Sequence, residues 1–220
     1  MKKLIIASSV AILFLFFILF TYSSSQNKPA QVLLRIDDMG MNHSVNMALN
    51  QLLETGIPFS TSVMFACPWY QEAVEILKKH PEISVGVHLT LNSEWKNYKW
   101  GPVLGKSAVP SLTDSNGYFL ASTKEFLARK ASPEEVEKEL SAQIERALKS
   151  GLRIDYVDYH MGTAVATPEL RAIVEKLAFK YNLGISRYFA ENYKTMFDVP
   201  VEEKRKEFFR HIDSLKYGRI

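Results

Sequence analysis

Hydrophobic and polar positions follow two alternating patterns from residue 31 onward. Short apolar runs typical of strands are "VLLRI", "STSVMFA", "ISVGVHLTL", "IDYVDYH" and "GISRYF". Between them, apolar residues recur every three to four positions, as on one side of a helix, in "SVNMALNQLLETG", "YQEAVEILKKH", "SPEEVEKELSAQIERALKSG", "TPELRAIVEKLAFKY" and "VEEKRKEFFRHIDSL". Strands that alternate with helices indicate parallel βαβ units. The pattern therefore predicts an α/β fold, and its number of units suits a partial or distorted (β/α) barrel better than a sandwich.

The clearest helix boundaries are those of "SPEEVEKELSAQIERALKSG". Ser132 suits the N-cap and Pro133 the first helical position, and Glu135 would complete a capping box with Ser132. Gly151 is a typical stop. Thr167 predicts an N-cap for the following helix in the same way.

Residues 92–122 follow neither pattern, although they are rich in aromatic side chains. These are Trp95, Tyr98, Trp100, Tyr118 and Phe119. A loop of this length inside a compact domain is unusual and is often a lid or a binding loop. Two interpretations follow: exposed aromatics that stack on sugar rings, or an insertion that packs its aromatics as a small separate core.

The N-terminus has a different composition from the rest of the chain. Lys2 and Lys3 precede the apolar run "LIIASSVAILFLFFILF", and a polar stretch follows it. This pattern predicts that residues 1–26 are a signal peptide or an uncleaved membrane anchor. Residues 27–220 would then form one extracytoplasmic domain, either secreted, periplasmic or tethered to the membrane.

Charge and cysteine content exclude several classes of function. The formal net charge is only +3, and most charges alternate in sign within helix-like segments, so no nucleic-acid partner is expected. Cys67 is the only cysteine, which excludes an intrachain disulfide and a thiolate metal cluster.

Acids and histidines fall at the predicted carboxyl ends of three strands. Asp37 and Asp38 end the first strand and His88 lies near the end of the third. Asp158 and His160 end the fourth strand and, two residues apart, share one face. Each group alone has an ordinary interpretation, as a helix cap or a hydrogen-bonded core histidine. Because sites of parallel α/β folds lie at this edge of the sheet, their coincidence predicts a functional site.

Two imidazoles and a carboxylate form a suitable ligand set for a catalytic divalent cation. Such a cation would offset the repulsion between Asp37 and Asp38. One acid would bind it, while the other would take a proton from the attacking water. Histidine ligands favour zinc or a similar transition metal, whereas magnesium prefers more oxygen ligands, and both remain open.

The motifs along the chain resemble those of the YdjC-like carbohydrate deacetylases, a group that includes chitooligosaccharide deacetylases. They are "DDMG" with Asn46 six residues after Gly40, "GIPFSTSVM", "VGVHLTL", "GPV…VPSLTDSNGYF", "DYVDYH" and "LGISR". They occur in family order and cover roughly residues 31–190. Singly they are weak signals, whereas together they are fairly specific.

The resemblance implies a TIM-barrel-like fold and metal-dependent removal of acetyl groups from N-acetylated oligosaccharides or glycans. It assigns Asp38, His88 and His160 as metal ligands and Asp37 as the general base. Asp158, on the face of His160, would support the site through a hydrogen bond behind a ligand. Candidates for contact with the substrate are Asn46, Trp95, Trp100 and Arg187, although a structural ion pair is an equal alternative for Arg187.

The chain departs from the family pattern in two places. Gly162 stands where the fourth strand of the family carries a second histidine, so the choice of substrate is expected to differ. The family also continues to a further strand with a histidine that acts as general acid, whereas this sequence ends at Ile220. We therefore expect a fragment, with a barrel incomplete at its C-terminus, or a protein without that acid.

Two other functions compete with the deacetylase interpretation. A glycan-binding protein with a degenerate site would keep the polar edge and the aromatic loop without turnover. An iron oxygenase also uses two histidines and a carboxylate, but such sites normally lie in antiparallel jelly rolls. The alternation of strands and helices disfavours the oxygenase.

Overall fold

A computed structural model describes residues 32–188, 196 and 198–214. The chain divides into two compact units, one of residues 33–188 and one of Met1–Val32 with Phe189–Ile220. The first unit contains every residue of the predicted site. It is therefore the unit that determines how the candidate side chains are placed.

A five-stranded parallel sheet forms the centre of this unit. Its strands are β1 (Arg35–Met39), β2 (Ser60–Val63), β3 (Ser84–Leu89), β4 (Ile154–Tyr159) and β5 (Gly184–Ile185). They pair in sequence order, each parallel to the next. Strands β2 and β3 are almost wholly buried, as is typical of parallel strands covered on both faces. The predicted α/β fold is confirmed.

Helices connect the strands as the periodicity predicts. They are α1 (His43–Leu53), α2 (Tyr70–Leu77), α3 (Thr123–Arg129), α4 (Pro133–Lys149) and α5 (Pro168–Tyr181). The short helix α3 was not predicted, although Ser122 caps it by accepting a hydrogen bond from the backbone N–H of Glu125. Thr167 caps α5 as predicted, through the N–H of Leu170.

Contacts of Arg35 show that the sheet is strongly curved. Its guanidinium Nε lies 3.2 Å from Asp158 Oδ2 on β4, and its Nη1 contacts the hydroxyl of Ser186, just after β5. In a flat sheet, β1 and β4 would be about 14 Å apart, since neighbouring strands are spaced by roughly 4.8 Å. Side chains standing on such a sheet would not meet, so this curvature is that of a barrel wall.

The long loop is fixed to α4 by buried and half-buried carboxylates. Glu139 accepts hydrogen bonds from the backbone N–H groups of Val103 and Leu104. Ser132 caps α4 as predicted, but the capping box was wrong: the Glu135 carboxylate accepts from the N–H and hydroxyl of Ser111. The Ser111 hydroxyl then accepts from the Ser132 N–H at 3.0 Å and so takes the place of the glutamate.

Both interpretations of residues 92–122 find support in the burial of the aromatic side chains. Trp100 and Phe119 are buried, and the N–H of Phe119 donates to the carbonyl of Trp100. Trp95 and Tyr118 instead expose 48% and 40% of their surface. The loop thus contributes to the core and also leaves two aromatic rings accessible.

Position 86 on β3 must be a glycine, because the ring of Tyr156 on β4 occupies the space that a side chain would need. A Cβ atom at position 86 would lie 2.3 Å from Cε2 of that ring. We therefore expect Gly86→Ala to lower the free energy of unfolding by about 1–3 kcal/mol, measured by urea denaturation. In a Tyr156→Ala background the same change should cost much less, whereas an equal cost in both backgrounds would contradict the steric explanation.

The second unit, Met1–Val32 with Phe189–Ile220, contains the last predicted helix. In that unit α6 (Val201–Asp213) forms as predicted. The fifth strand is shorter than predicted, because Ser186 and Arg187 form a turn after Ile185. The proposed signal or anchor, residues 1–26, lies outside the described residues. None of the described helices is both long and apolar enough to span a bilayer.

Candidate metal centre

Asp38, His88 and His160 meet at the carboxyl edge of the sheet. Asp38 Oδ1 lies 3.2 Å from His88 Nε2 and 3.0 Å from His160 Nδ1. One ligand atom from each residue lies within 4.8 Å of those of the other two. Both histidines are 3% exposed, so the imidazoles are held away from bulk water. The structure thus brings together three residues that are 50 or more positions apart in sequence.

The backbone of β1 explains why two adjacent acids can serve one site. Successive residues of a regular strand point to opposite faces. Here the pairing of β1 with β2 shifts register between Ile36 and Met39, and Asp38 has a φ of 68°. This bulge breaks the alternation, so that Asp37 and Asp38 both lie close to His88.

Gly40 and Asn46 fix the turn that follows Asp38. Gly40 has a φ of 82°, and a Cβ at this position would lie 2.9 Å from the Cα of Tyr70. Its N–H donates to Asn46 Oδ1, and the Asn46 amide donates to the carbonyl of Trp69. Asn46 is fully buried, so the structure gives it a role in holding the turn. Its contact with substrate stays a prediction.

His88 is oriented by Asp158. His88 Nδ1 lies 2.6 Å from Asp158 Oδ1, and the Ser62 hydroxyl is 3.1 Å from the same nitrogen. Residues 88 and 158 are register partners of neighbouring strands, so the ligand that Asp158 contacts from behind is His88. With Nδ1 engaged by Asp158, Nε2 is the nitrogen that faces Asp38.

His160 has a carboxylate on each side of its ring. Its Nδ1 faces Asp38, and its Nε2 lies 3.0 Å from Glu94 Oε2. Glu94 was not among the predicted site residues. The only signal for it is its position in the polar segment directly after β3, which follows the carboxyl end of a strand.

Asp37 is held by Arg35 and Ser62. The guanidinium of Arg35 donates two hydrogen bonds to the two carboxylate oxygens, at 2.7 and 3.1 Å. The Ser62 hydroxyl donates to Asp37 Oδ1 at 3.0 Å. Arg35 was also missed in the sequence, because an arginine in an apolar run is equally consistent with a surface position. The carboxylate of Asp37 is 33% exposed and thus accessible to water.

The electrostatics of the site stabilise ionised acids and protonated histidines. Burial opposes ionisation of Asp38, but hydrogen bonds from His160 and His88 outweigh it and hold the pKa well below its usual value. For Asp37, burial is outweighed by the charge of His88 and by Arg35, so its pKa is also lowered. Burial disfavours the charged form of His88, yet Asp158 and Asp38 raise its pKa to about 10.

The donor set fits a divalent cation. A carboxylate oxygen and two imidazole nitrogens converge, and a carboxylate contacts the far nitrogen of each ring, as is usual for metal-binding histidines. Asp37, His88 and Asp158 form a second close group. That group already has a cation, since the guanidinium of Arg35 contacts both of its acids. Asp38, His88 and His160 are therefore the better candidate ligands.

We expect cation binding to release at least about one proton per site at pH 7. Because the pKa of His88 is raised to about 10, its imidazole is protonated at neutral pH and must lose that proton to bind a cation. The affinity should therefore rise with pH until His88 is neutral. Calorimetric zinc titrations in buffers of different ionisation enthalpy measure the proton count. Heats that do not depend on the buffer would contradict the expectation.

Three further residues were predicted to contact the substrate: Trp95, Trp100 and Arg187. Trp95 is exposed and directly follows Glu94, whereas Trp100 is buried with its ring edge-on to His160 at 6.0 Å. Arg187 is exposed, with its guanidinium 5.0 Å from the centre of the Tyr159 ring. A Cβ at Gly162 would meet no atom within 4 Å. The roles of these residues in substrate binding stay predictions.

The chain is thus a parallel α/β protein with an Asp-His-His cluster at the carboxyl edge of its sheet, in which both histidines are buried. A family model described as YdjC-like protein matches residues 31–216, and the chain belongs to that family. This confirms the resemblance seen in the sequence motifs.

Similar curated proteins are named carbohydrate deacetylase. The protein from Brevibacillus brevis is 32% identical over 155 residues, which cover 70% of this chain and 58% of the relative. Those from Enterococcus faecalis and Vibrio cholerae are 32% and 31% identical and cover 70% of this chain, with 57% and 58% of their own length matched. The chain thus spans less than two thirds of the length of these relatives.

A solved structure shares the fold. It is a crystal structure of a candidate cellobiose-phosphate cleavage protein from Enterococcus faecalis V583, with a TM-score of 0.72 and 26% identity. The match covers 88% of this chain and 78% of that one.

Proposed function

We propose that this protein is a metal-dependent hydrolase that removes acetyl groups from N-acetylated sugars of the chitooligosaccharide type. The observation that carries the proposal is the convergence of Asp38, His88 and His160 next to a second carboxylate, Asp37. The names of the similar curated proteins support a carbohydrate substrate and a deacetylation.

Asp38, His88 and His160 would hold the cation, with zinc or magnesium as the candidates. A bound divalent cation polarises a carbonyl and makes water more acidic. The protein residues supply the remaining requirements. The burial of both histidines excludes bulk water from one side of the site, and the contact with Asp158 fixes the ring of His88.

Asp37 has the properties of a general base. Its pKa is lowered, so its carboxylate is ionised and can accept a proton at neutral pH. Arg35 and Ser62 fix the side chain, while a third of its surface stays accessible. Water that attacks the amide carbonyl would give a proton to Asp37, and Asp37 would pass that proton to the nitrogen as the C–N bond breaks, so that the products are acetate and the free amino sugar.

Exposed aromatic side chains would provide the sugar-binding surface. The exposed ring of Trp95 follows Glu94, and Glu94 contacts His160. Aromatic faces with a polar neighbour suit the apolar face of a pyranose ring.

For the location of the protein, we propose that residues 1–26 export it or tether it to a membrane, which would place the site outside the cytoplasm.

A glycan-binding protein without turnover is the second candidate function. Gly162 stands where the family motif on the fourth strand has a second histidine, and a Cβ atom at this position would meet no atom within 4 Å. A missing imidazole would weaken catalysis more than binding. This alternative and the deacetylase differ in whether acetate is formed.

Acetate release from N-acetylated chitooligosaccharides tests the proposal. We expect release that stops when a chelator removes the cation and returns when zinc is added back. Binding of the oligosaccharide without acetate, with any common divalent cation present, would support the glycan-binding alternative and contradict the deacetylase.

A further inference from the structure

Glu94 connects the long loop to the candidate metal centre. Its Oε2 lies 3.0 Å from His160 Nε2, and its carboxylate also accepts a hydrogen bond from the Asn92 side-chain amide at 3.3 Å. The side chain is 27% exposed, whereas His160 is buried. The contact therefore joins a half-buried acid to the far side of a candidate ligand.

The backbone around Glu94 is held in place by buried polar contacts. Asn92 and Ser93 are fully buried, and the indole N–H of Trp100 donates to the carbonyl of Asn92. The Trp100 N–H donates to the Ser93 hydroxyl, and the Asn92 side chain accepts from Thr163. A residue anchored in this way can hold a neighbouring ring in one orientation at little entropic cost.

The two nitrogens of His160 have different tasks if the site binds a cation. A neutral imidazole carries one proton, and only its other nitrogen has a lone pair for a metal. Nδ1 faces Asp38, whose same oxygen also contacts His88 Nε2. Nε2 faces Glu94, on the other side of the ring. A proton on Nε2 that is donated to Glu94 leaves the Nδ1 lone pair directed at the other two ligands.

We propose that Glu94 is a positioning residue that fixes the tautomer and the orientation of His160, so that His160 binds the cation through Nδ1. This inference rests on the proposed function, because it presupposes that Asp38, His88 and His160 hold a cation. Glu94 does not bind the cation itself. It acts for His160 as Asp158 acts for His88, from a loop instead of a strand.

The affinity of the full chain for zinc alone tests the role of Glu94. Competition with a chromophoric chelator should show a Kd about 10–100-fold higher for Glu94→Ala than for the wild type. Glu94→Gln keeps an acceptor oxygen and should therefore lose less zinc affinity than Glu94→Ala. Glu82→Ala is the matched control, since Glu82 also contacts a histidine nitrogen, His80 Nδ1 at 3.2 Å, but lies on the surface. It should bind zinc as the wild type does.

Nuclear magnetic resonance of the zinc-loaded wild-type chain gives a readout that a merely structural role would not change. Long-range ¹H–¹⁵N correlations should show zinc on Nδ1 of His160 and a proton on Nε2. Zinc on Nε2 would overturn the inference, as would wild-type zinc affinity in Glu94→Ala. If Glu94→Gln loses as much zinc affinity as Asp38→Asn, Glu94 is itself a metal ligand, and this result would also overturn the inference.

These outcomes separate the inference from the proposed function. If the wild type binds zinc and releases acetate while Glu94→Ala binds zinc equally well, only the role of Glu94 fails. If the wild type binds neither zinc nor magnesium, the proposed metal centre fails and the inference fails with it.

Discussion

Asp37→Asn is expected to slow acetate release at least about 100-fold while leaving zinc affinity close to that of the wild type. General-base catalysis typically contributes a factor of 10² to 10⁴, and an amide in place of the carboxylate cannot accept the proton. The change is nearly isosteric, and its oxygen can still accept from Arg35 or Ser62. Initial rates of acetate release and a zinc titration measure the two quantities.

Asp155→Asn is a suitable control for this variant. Asp155 is also partly buried and lies on a strand of the same sheet, but its partners are Ser84 and Arg153, away from the candidate centre. It should keep the rate of the wild type. An Asp37→Asn chain that retains most of its activity would remove Asp37 from the role of base, even if the metal centre is correct.

Asp38→Asn is expected to weaken zinc binding by more than about 100-fold and to lower acetate release with it. Loss of a partner behind a ligand already costs 10–100-fold in affinity, and loss of a charged ligand should cost more. Asparagine tolerates the positive φ of 68° at this position, so the backbone need not change. Chelator competition measures the affinity.

Thermal unfolding of the zinc-free chain provides the control for Asp38→Asn. The variant should retain a cooperative transition, which shows that the loss of affinity does not come from unfolding. Zinc affinity equal to that of the wild type in a folded Asp38→Asn chain would show that the cation, if any, binds elsewhere.

The placement of the site could be predicted because parallel sheets bring strand ends to one edge. Asp38, His88 and His160 each lie at or near the end of an apolar strand run, so the edge on which they meet is implied by the α/β pattern alone. The bulge that aims both Asp37 and Asp38 at this edge was not predictable, because it depends on the pairing of β1 with β2. In the sequence, the only signal for this bulge was the pair of adjacent acids at the end of an apolar run.

The residues that support the ligands were harder to predict, because they depend on register and on the long loop. The His88–Asp158 contact follows from the pairing of β3 with β4, which the sequence does not specify. Glu94 lies in a segment without periodicity, whose path is fixed by buried contacts of Asn92, Ser93 and Trp100. The same loop, through Ser111, also replaced the predicted capping box of α4.

Titration of the cation-free chain with zinc, with acetate release followed at each addition, tests the central claim most directly. We predict no release without zinc, a rise with each addition and a plateau at about one equivalent per chain, because one three-ligand centre holds one ion. A full rate in the cation-free chain, or no acetate at any concentration of zinc or magnesium, would contradict the assignment of a catalytic metal centre to Asp38, His88 and His160.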